Sequence, residues 1–281
     1  MADAFMESAT SHATWIPQVW SKELVVARES VLVLANLVKR FDSDISAFGN
    51  IIHVPTVTNL SAGDITVADG TLTSQSPTET EVQITINKWK GVILRIVDMA
   101  KAQSKYEFMA EYSGKMGYAL GLAVEQDLAA LAAGFSQSVG TYNTNTISDA
   151  NLRDAVQKLD DARVPFADRH MFLKPVIKNA LLGIDKFVRF DAVSYAKGES
   201  PILKGGIGEL YGVTAHISPE VYKATNNTSN MMFHRDAMAL AMQKDLKIEE
   251  FARTGFVTPV GASELYGVKE LRDDHGVELR S

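Results

Sequence analysis

The sequence contains no cysteine among its 281 residues. Disulfide bonds, thiolate metal sites and cysteine nucleophiles are therefore excluded. Long apolar runs are also missing, because no stretch reaches the roughly 18 apolar residues of a membrane-spanning helix. The N-terminus has no basic segment followed by an apolar core, which is the pattern of a secretion signal. We therefore expect a protein that is neither exported nor held in a membrane.

Positive charge is scarce as well. The chain has 28 Lys and Arg against 34 Asp and Glu, which gives a formal net charge of −6. Proteins that coat nucleic acid neutralise its phosphates with a large basic surface. This charge balance therefore predicts that the protein does not bind DNA tightly or in a sequence-specific way.

Catalytic signatures are the third absence. The sequence has no GxxxxGK[ST] phosphate loop, no HExxH zinc motif and no GxSxG nucleophile elbow. The glycines of GGIGELYG lie one residue off the dinucleotide pattern and precede a predicted strand instead of a helix. His170 near Asp168 and His234 near Asp236 lack a positioned nucleophile. We expect no catalytic residue, no metal site and no cofactor.

The most regular stretch runs from residue 104 to residue 135. Apolar and small side chains recur there every three or four positions, which predicts one helix roughly 45 Å long. Ser104 and Glu107 have the spacing of a capping box, and Gly134 can end the helix. Three internal glycines would each cost up to about 1 kcal/mol relative to alanine. Close packing at Gly114, Gly117 and Gly121 is therefore predicted, against either the same chain or a second copy.

Two limbs of the chain lack an obvious core of their own. Residues 1–20 predict an arm whose Trp15 and Trp20 must be buried on a distant part of the fold or on a neighbouring subunit, so both are candidates for contacts between subunits. Residues 21–38 predict a short helix. Residues 45–97 change to a period of two, with strands around Val54 and Ile84 that bracket a long polar segment. We expect a β-hairpin with an extended tip, and a two-stranded hairpin is marginal alone in water. Its apolar side chains, and Trp89 behind it, are candidates for contacts between subunits: Leu60, Ile65, Val67, Leu72 and Trp89.

The rest of the chain predicts a mixed α and β region. Residues 148–163 form an amphipathic helix capped by Ser148, and a strand at residues 170–173 precedes a second helix from Pro175 to about Leu182. A glycine-rich turn and a strand follow in ILKGGIGELYGVTAHIS, and NMMFHRDAMALAMQKD predicts a strand that leads into a methionine-rich helical or strand segment. The tail from residue 246 alternates again, which predicts further strands. The fold class predicted from this order is α+β.

The order of these elements resembles a known family. An arm with WIPQVWSKEL, a helix ending in LVKRF, and a loop opening with HVPTV and closing with ITINKWKGVILRIVD precede a glycine-bearing helix. This order is similar to the major capsid protein of tailed double-stranded DNA bacteriophages, which has the Hong Kong 97 type of fold. The resemblance covers nearly the whole chain.

The resemblance implies four regions. They are an arm at residues 1–44, an extended loop at 45–98, a peripheral domain at 99–147 with 251–281, and an axial domain at 148–250. It also implies a structural protein that assembles with itself as hexamers and pentamers into an icosahedral shell around the phage DNA. The expected place is the virion, assembled in the bacterial cytoplasm. A separate scaffolding protein, a portal and a decoration protein are the further partners that the family suggests.

Three alternatives stay open at this point. An encapsulin, which is a cellular nanocompartment with the same fold, would carry cargo enzymes in place of a genome. A cytoplasmic α/β enzyme would need an acid, a base and a nucleophile that the sequence does not assemble. A small-molecule binding module is equally unsupported.

Overall fold

A computed structural model describes residues 33–45, 49–57, 60–65, 72, 74–97, 108–184, 208–224, 227–251 and 255–281. The helices are α1 Leu34–Leu37, α2 Asp42–Ile45, α3 Phe108–Ala129, α4 Asp149–Asp161 and α5 Pro175–Leu182. The first strands are β1 Lys39–Arg40, β2 Ile51–Val57, β3 Glu79–Thr85, β4 Lys88–Val97, β5 Ser138–Gly140 and β6 Arg169–Leu173. The remaining strands are β7 Glu209–Leu210, β8 Val213–Ile217, β9 Tyr222–Ala224, β10 Asn227–His234, β11 Met238–Glu250, β12 Val257–Glu270 and β13 Gly276–Arg280. Short 3₁₀ segments lie at Ala130–Gly134, Arg235–Ala237 and Asp273–His275.

One sheet has four strands in the order β1-β11-β12-β4. Its long strands β11, β12 and β4 are antiparallel neighbours, and β1 runs parallel to β11. Helix α3 covers one face, where Met116 and Leu120 pack against Val260 and Ala262. Because alternate residues of a strand point to opposite faces, the other face of this sheet carries a second set of side chains.

A second sheet has the order β5-β13-β10-β6-β8-β7, with β9 paired to β10. Helices α4 and α5 cover one face with Leu152, Leu159 and Ile177, which pack among Met171 and neighbouring apolar residues of the strands. The opposite face belongs to a core shared with the first sheet, in which Phe172 and Phe233 lie in one cluster with Leu128 of α3 and Leu240 of β11. The two sheets are thus joined by one apolar core.

The predicted long helix is confirmed where the structure describes it. The α-helix runs from Phe108 to Ala129, about 33 Å at 1.5 Å per residue, and its last turn tightens into the 3₁₀ segment that ends at Gly134. The predicted cap at Ser104 lies outside the described residues. Helices α4 and α5 are also confirmed, and the Ser148 hydroxyl accepts from the Asn151 amide at 3.2 Å.

The prediction of a helix through Val38 is wrong at its end. The described part is only the four-residue helix α1, because Val38 is extended and Lys39–Arg40 pair with Ala239 and Leu240 of β11. Residues 21–32 of the predicted helix lie outside the described residues. A pairing partner two hundred residues away overrides the local pattern.

Sheet membership divides the chain differently from the regions that the resemblance implies. Strand β11, assigned above to the axial domain, lies in the four-stranded sheet beside α3. Strand β13, assigned above to the peripheral domain, lies in the second sheet between β5 and β10. The C-terminal strands therefore cross from one sheet to the other.

Candidate functional site

Strands β2 and β3 form the expected hairpin, with Ile52 opposite Ile84 and Val54 opposite Val82. The sequence suggests no second layer near it, but the structure supplies one for the base. Buried Ile52 and Ile84 pack on Ala239 and Ala241 of β11. This packing fixes the base of the hairpin on the face of the four-stranded sheet that α3 leaves free.

A glycine in β12 allows the hairpin base to pack directly against the backbone of the sheet. A Cβ added to Gly267 of β12 would lie 2.4 Å from the carbonyl oxygen of Thr85 and 3.0 Å from Ile86 Cδ1. Real side chains do not tolerate such a contact with backbone, so only glycine admits the hairpin at this position.

The tip of the hairpin has no such cover. Leu60, Ile65 and Leu72 are 69%, 61% and 56% exposed. The tip is nonetheless held together, because the Ser61 amide donates to Gln75 Oε1 at 3.0 Å. Val67, the remaining candidate of the tip, lies outside the described residues. The tip therefore presents a set of apolar side chains to the surroundings.

A second apolar surface lies on the same face of the four-stranded sheet, and we call it the open face. Trp89 and Ile93 of β4 and Phe251 after β11 are exposed there, with Trp89 at 76%. They line a groove of about 380 Å³ together with Gly91, Val92, Lys244, Glu249, Gly261, Ala262 and Ser263. Exposed apolar patches with a polar rim are typical of binding surfaces.

The hairpin base and the groove lie next to each other on one sheet face. Along β12, the groove lies at Gly261 and Ser263, and the hairpin base follows at Gly267. The middle of the hairpin, at residues 54–57, shares the next cleft with Lys39, Asp236, Leu271 and Arg272. The seven-residue strands then carry the tip about 23 Å from the base. The hairpin runs away from the groove, so a chain cannot cover its own open face with its own tip.

The hairpin is also a charge feature that the sequence analysis missed. Residues 51–87, which contain the hairpin, have four acidic residues and no lysine or arginine, and the stretch without lysine or arginine begins at residue 41. The open face has Lys244 in its groove, and exposed Arg95 and Lys247 lie on strands of the same sheet. Counting cations along the chain would have found this asymmetry.

Asp127 of α3 ties the helix to the edge of the sheet that carries Trp89. Its carboxylate accepts from the Tyr266 hydroxyl at 2.6 Å and lies 3.0 Å from Lys88 Nζ and 3.7 Å from Lys90 Nζ. Burial acts to raise the pKa of Asp127, but the hydrogen bonds of Tyr266 and Lys88 bring it below its usual value. Burial and the same carboxylate raise the pKa of Tyr266, so the phenol stays a donor.

A buried carboxylate anchors the chain where the N-terminal arm ends. Glu125 of α3 is fully buried and accepts from the Val33 amide at 3.0 Å and from the Leu34 amide at 2.9 Å. Burial raises the pKa of Glu125, and the two amides oppose that shift. The arm residues Trp15 and Trp20 lie outside the described residues.

The helix glycines differ in their surroundings. A Cβ at Gly114 would meet no described atom within 4 Å, whereas one at Gly117 would lie 3.4 Å from Leu246 Cδ2, an ordinary contact. Gly121 is partly buried. Close packing at these glycines therefore stays a prediction, and at Gly114 it would need a partner other than the described part of this chain.

The histidines do not assemble a reaction centre in the described structure. His170 Nδ1 lies 3.4 Å from His216 Nε2, and burial lowers the pKa of both rings. His234 Nδ1 accepts from the Asp236 amide at 3.2 Å. Gly208 and Gly212 adopt positive φ in turns that lead into strands β7 and β8. Within the described ranges, no group of three or more metal-ligating side chains occurs and no helix is long and apolar enough to cross a membrane.

Comparisons with known proteins agree with this architecture. A family model described as phage capsid protein matches residues 79–271. A structure from Mycobacterium phage Che8 is similar with a TM-score of 0.80 and 22% identity over 94% of this chain and 97% of that chain. The capsid structure of cyanophage P-SCSP1u is similar with a TM-score of 0.77 and 20% identity over 95% of this chain and 93% of that chain. The mature capsid of bacteriophage PhiM1 is similar with a TM-score of 0.75 and 12% identity over 99% of this chain and 96% of that chain. A comparison with curated proteins finds no match.

Proposed function

Because the chain belongs to the phage capsid protein family, whose model matches residues 79–271, we propose that its copies join head to tail into rings of five and six. The α+β fold is that of phage capsid structures, and the protein is a structural major capsid protein, not an enzyme. Such proteins associate with themselves and form part of the virion. We further propose that the rings build an icosahedral shell around double-stranded DNA.

One observation supports the head-to-tail contact above others. The groove lies at Gly261 and Ser263, and the hairpin leads from Gly267 toward Leu271, away from that groove, so the exposed apolar tip does not cover the exposed apolar groove of its own chain. A contact between two different patches repeats from copy to copy and generates a closed ring when the rotation allows it. The acidic, cation-free hairpin also complements Lys244 and the exposed cations beside the groove.

The burial available at this contact is substantial. Covering one large apolar side chain is worth about 1.5–3 kcal/mol, and Leu60, Ile65, Leu72 and Trp89 are each more than half exposed. Ordering the tip and losing rotational freedom consume part of this gain. We propose these four residues, with Val67, Trp15 and Trp20, as contacts between subunits.

The substitution Trp89→Ala tests the open face. Its side chain is largely exposed, so the circular dichroism of the variant should match that of the wild type, and assembly should fall by at least about tenfold. Particles and rings are counted by electron microscopy and light scattering. Phe166→Ala is the control, because Phe166 is equally exposed at 78% but lies on the turn before β6. Normal shells from Trp89→Ala would contradict the proposal.

Removal of Leu60 to Thr80 tests the tip. Since the hairpin base is seated by Ile84 and Gly267, the shortened chain should remain folded but fail to assemble. Normal particles from this variant would refute the role of the tip. A purified product that is monodisperse at the size of one chain would refute the shell itself.

The remaining partners are inferred from the family. We propose a separate scaffolding protein, a portal and, in some form, a decoration protein, with assembly in the bacterial cytoplasm. The acidic hairpin and the net charge of −6 support a wall that encloses DNA without gripping it. Genes for a terminase and a portal beside this gene would support the capsid, whereas a cargo peroxidase gene would support the nanocompartment, which the family match does not favour.

The four regions stay a proposal with two changes. We propose the arm at residues 1–44, the loop at 45–98, the peripheral domain at 99–147 with 251–281 and the axial domain at 148–250. The sheet order argues for moving Met238–Glu250 to the peripheral domain and Gly276–Arg280 to the axial domain.

A further inference from the structure

Three chain crossings join the two sheets at one junction. The chain passes from the end of α3 through residues 134–138 to β5, from β10 through Arg235–Ala237 to β11, and from β12 through Asp273–His275 to β13. The last two crossings are bonded to each other, because the Leu271 amide donates to the carbonyl of Ala237 at 2.8 Å. These crossings act together with the apolar core that the two sheets share.

Two carboxyl side chains meet at this junction. Glu270, the last residue of β12, is hydrogen-bonded to Asp273, and Asp273 Oδ1 accepts from the Ser136 amide at 2.7 Å. Gly134 leaves room for the pair, since a Cβ there would lie 3.2 Å from Glu270 Oε2. The pair thus connects the end of α3 to the crossing between β12 and β13.

Two carboxyls in direct contact repel each other when both are ionised, so such a pair is stable only while it shares one proton. Asp273 is the member of the pair that ionises more readily, because the Ser136 amide donates a hydrogen bond to its carboxylate. Glu270 then keeps the proton and donates it to Asp273. The contact is a hydrogen bond in acid and a repulsion in base.

We propose that Glu270 and Asp273 form a proton-dependent brace, which holds the junction between the two sheets while the pair is protonated and loosens it when the proton is lost. The brace lies within one chain, and its existence does not depend on the proposed shell.

The pKa values of the two carboxyls support a brace that holds in acid and loosens in base. Burial and the hydrogen bond to Asp273 raise the pKa of Glu270 to about 7. Burial acts to raise the pKa of Asp273, but the hydrogen bonds from Ser136 and Glu270 bring it below its usual value. A carboxyl whose pKa is raised on folding stabilises the fold in acid, and that stabilisation is lost as the pH rises through about 7.

Other charged groups lie on the elements that meet at this junction. They are Lys269 on the same strand, Arg272, Asp274 and His275 on the crossing to β13, Arg235 and Asp236 on the crossing to β11, and Lys39 on β1. Burial lowers the pKa of His275. Lys39, 3.2 Å from Asp236, lowers the pKa of that carboxyl against the effect of burial. His275 and Asp236 therefore titrate at more acid pH than Glu270 does.

The junction also lies beside the hairpin. Residues 54–57 share a cleft with Asp236, Leu271 and Arg272, which belong to the two bonded crossings. If the junction loosens, the support under the middle of the hairpin changes with it. This last step rests on the proposed function, because the direction of the hairpin matters only if its tip reaches another copy.

Hydrogen–deuterium exchange on the full-length protein tests the brace. Peptides covering residues 130–140 and 268–276 are compared at about pH 6 and about pH 8.5, after correction for the intrinsic pH dependence of exchange. Wild-type protection in both segments should fall by about threefold or more at the higher pH. In Glu270→Gln the amide still donates to Asp273 and cannot ionise, so protection should be equal at both pH values.

Two further variants keep the test decisive. Asp154→Asn replaces an exposed carboxylate on α4, outside the three crossings, and it should keep the wild-type pH response. Asp273→Asn removes the repulsion and should abolish the response even if Glu270→Gln folds poorly. An unchanged wild-type protection, or a Glu270→Gln protein that responds as the wild type does, would overturn the brace. Exchange is read within the subunit, so a failure of the brace shows as an unchanged exchange pattern, whereas a failure of the proposed shell contact shows as normal shells from Trp89→Ala.

Discussion

The hydrogen bond between Tyr266 and Asp127 gives the sharpest test of how the long helix is held to the sheet. Tyr266 is fully buried, and its hydroxyl lies 2.6 Å from a carboxylate that Lys88 and Lys90 also approach. A hydrogen bond to a charged group contributes about 1.5–3 kcal/mol. Because both lysines remain, we expect Tyr266→Phe to lower the free energy of unfolding by about 2 kcal/mol, near the lower part of that range.

Tyr211→Phe provides a matched control. Tyr211 also donates to an aspartate, Asp149, but its side chain is 43% exposed. Surface substitutions usually change stability by less than about 0.5 kcal/mol, so the same chemical change should have little effect there. Urea unfolding of both variants is followed by far-UV circular dichroism at one protein concentration, since self-association shifts the midpoint.

The pH dependence adds a second readout. The pKa of Asp127 lies below its ordinary value of 3.8, so its stabilisation is present above that pH and is lost as the pH falls further. The difference between the wild type and Tyr266→Phe should therefore shrink in acid. A loss below about 0.5 kcal/mol at neutral pH, or an equal loss in Tyr211→Phe, would refute this account of the contact.

The same unfolding assay tests three other contacts. Gly267→Ala should destabilise by about 2 kcal/mol or more, because its Cβ meets backbone, whereas Gly114→Ala should gain up to about 1 kcal/mol in the isolated subunit; equal effects would contradict the seating of the hairpin. Glu125→Ala should cost about 2 kcal/mol, because two buried amides lose their acceptor, and Glu125→Gln should cost less. Ser148→Ala should cost about 1 kcal/mol through the lost cap, and no change would show that the cap is not formed.

The periodicity of apolar side chains predicts many of the helices and strands. The hairpin, α4, α5 and the body of α3 follow from side chains spaced at two or at three to four residues, because that spacing decides which face of an element is apolar. Leu60, Ile65, Leu72 and Trp89 are exposed in the single chain, and their role as contacts between subunits stays a prediction.

Contacts between residues that are far apart in the sequence cannot be predicted from local periodicity. No local pattern marks Lys39 as a partner of Ala239, or Glu125 as the acceptor for amides 91 and 92 residues away. Alternation predicts a strand at Trp89, but it does not say which face α3 covers. The seat of the hairpin at Gly267 likewise depends on how two strands approach in space.

The cation-free stretch of residues 41–87 has a consequence for newly made subunits. Strands β2 and β3 form a sheet of only two strands among the described residues, so their outer edges offer unpaired backbone groups to any passing chain. Two such hairpins would have to bring four acidic residues from each side together without one lysine or arginine. Mutual repulsion then keeps freshly synthesised chains from aggregating edge to edge while they wait for the correct site.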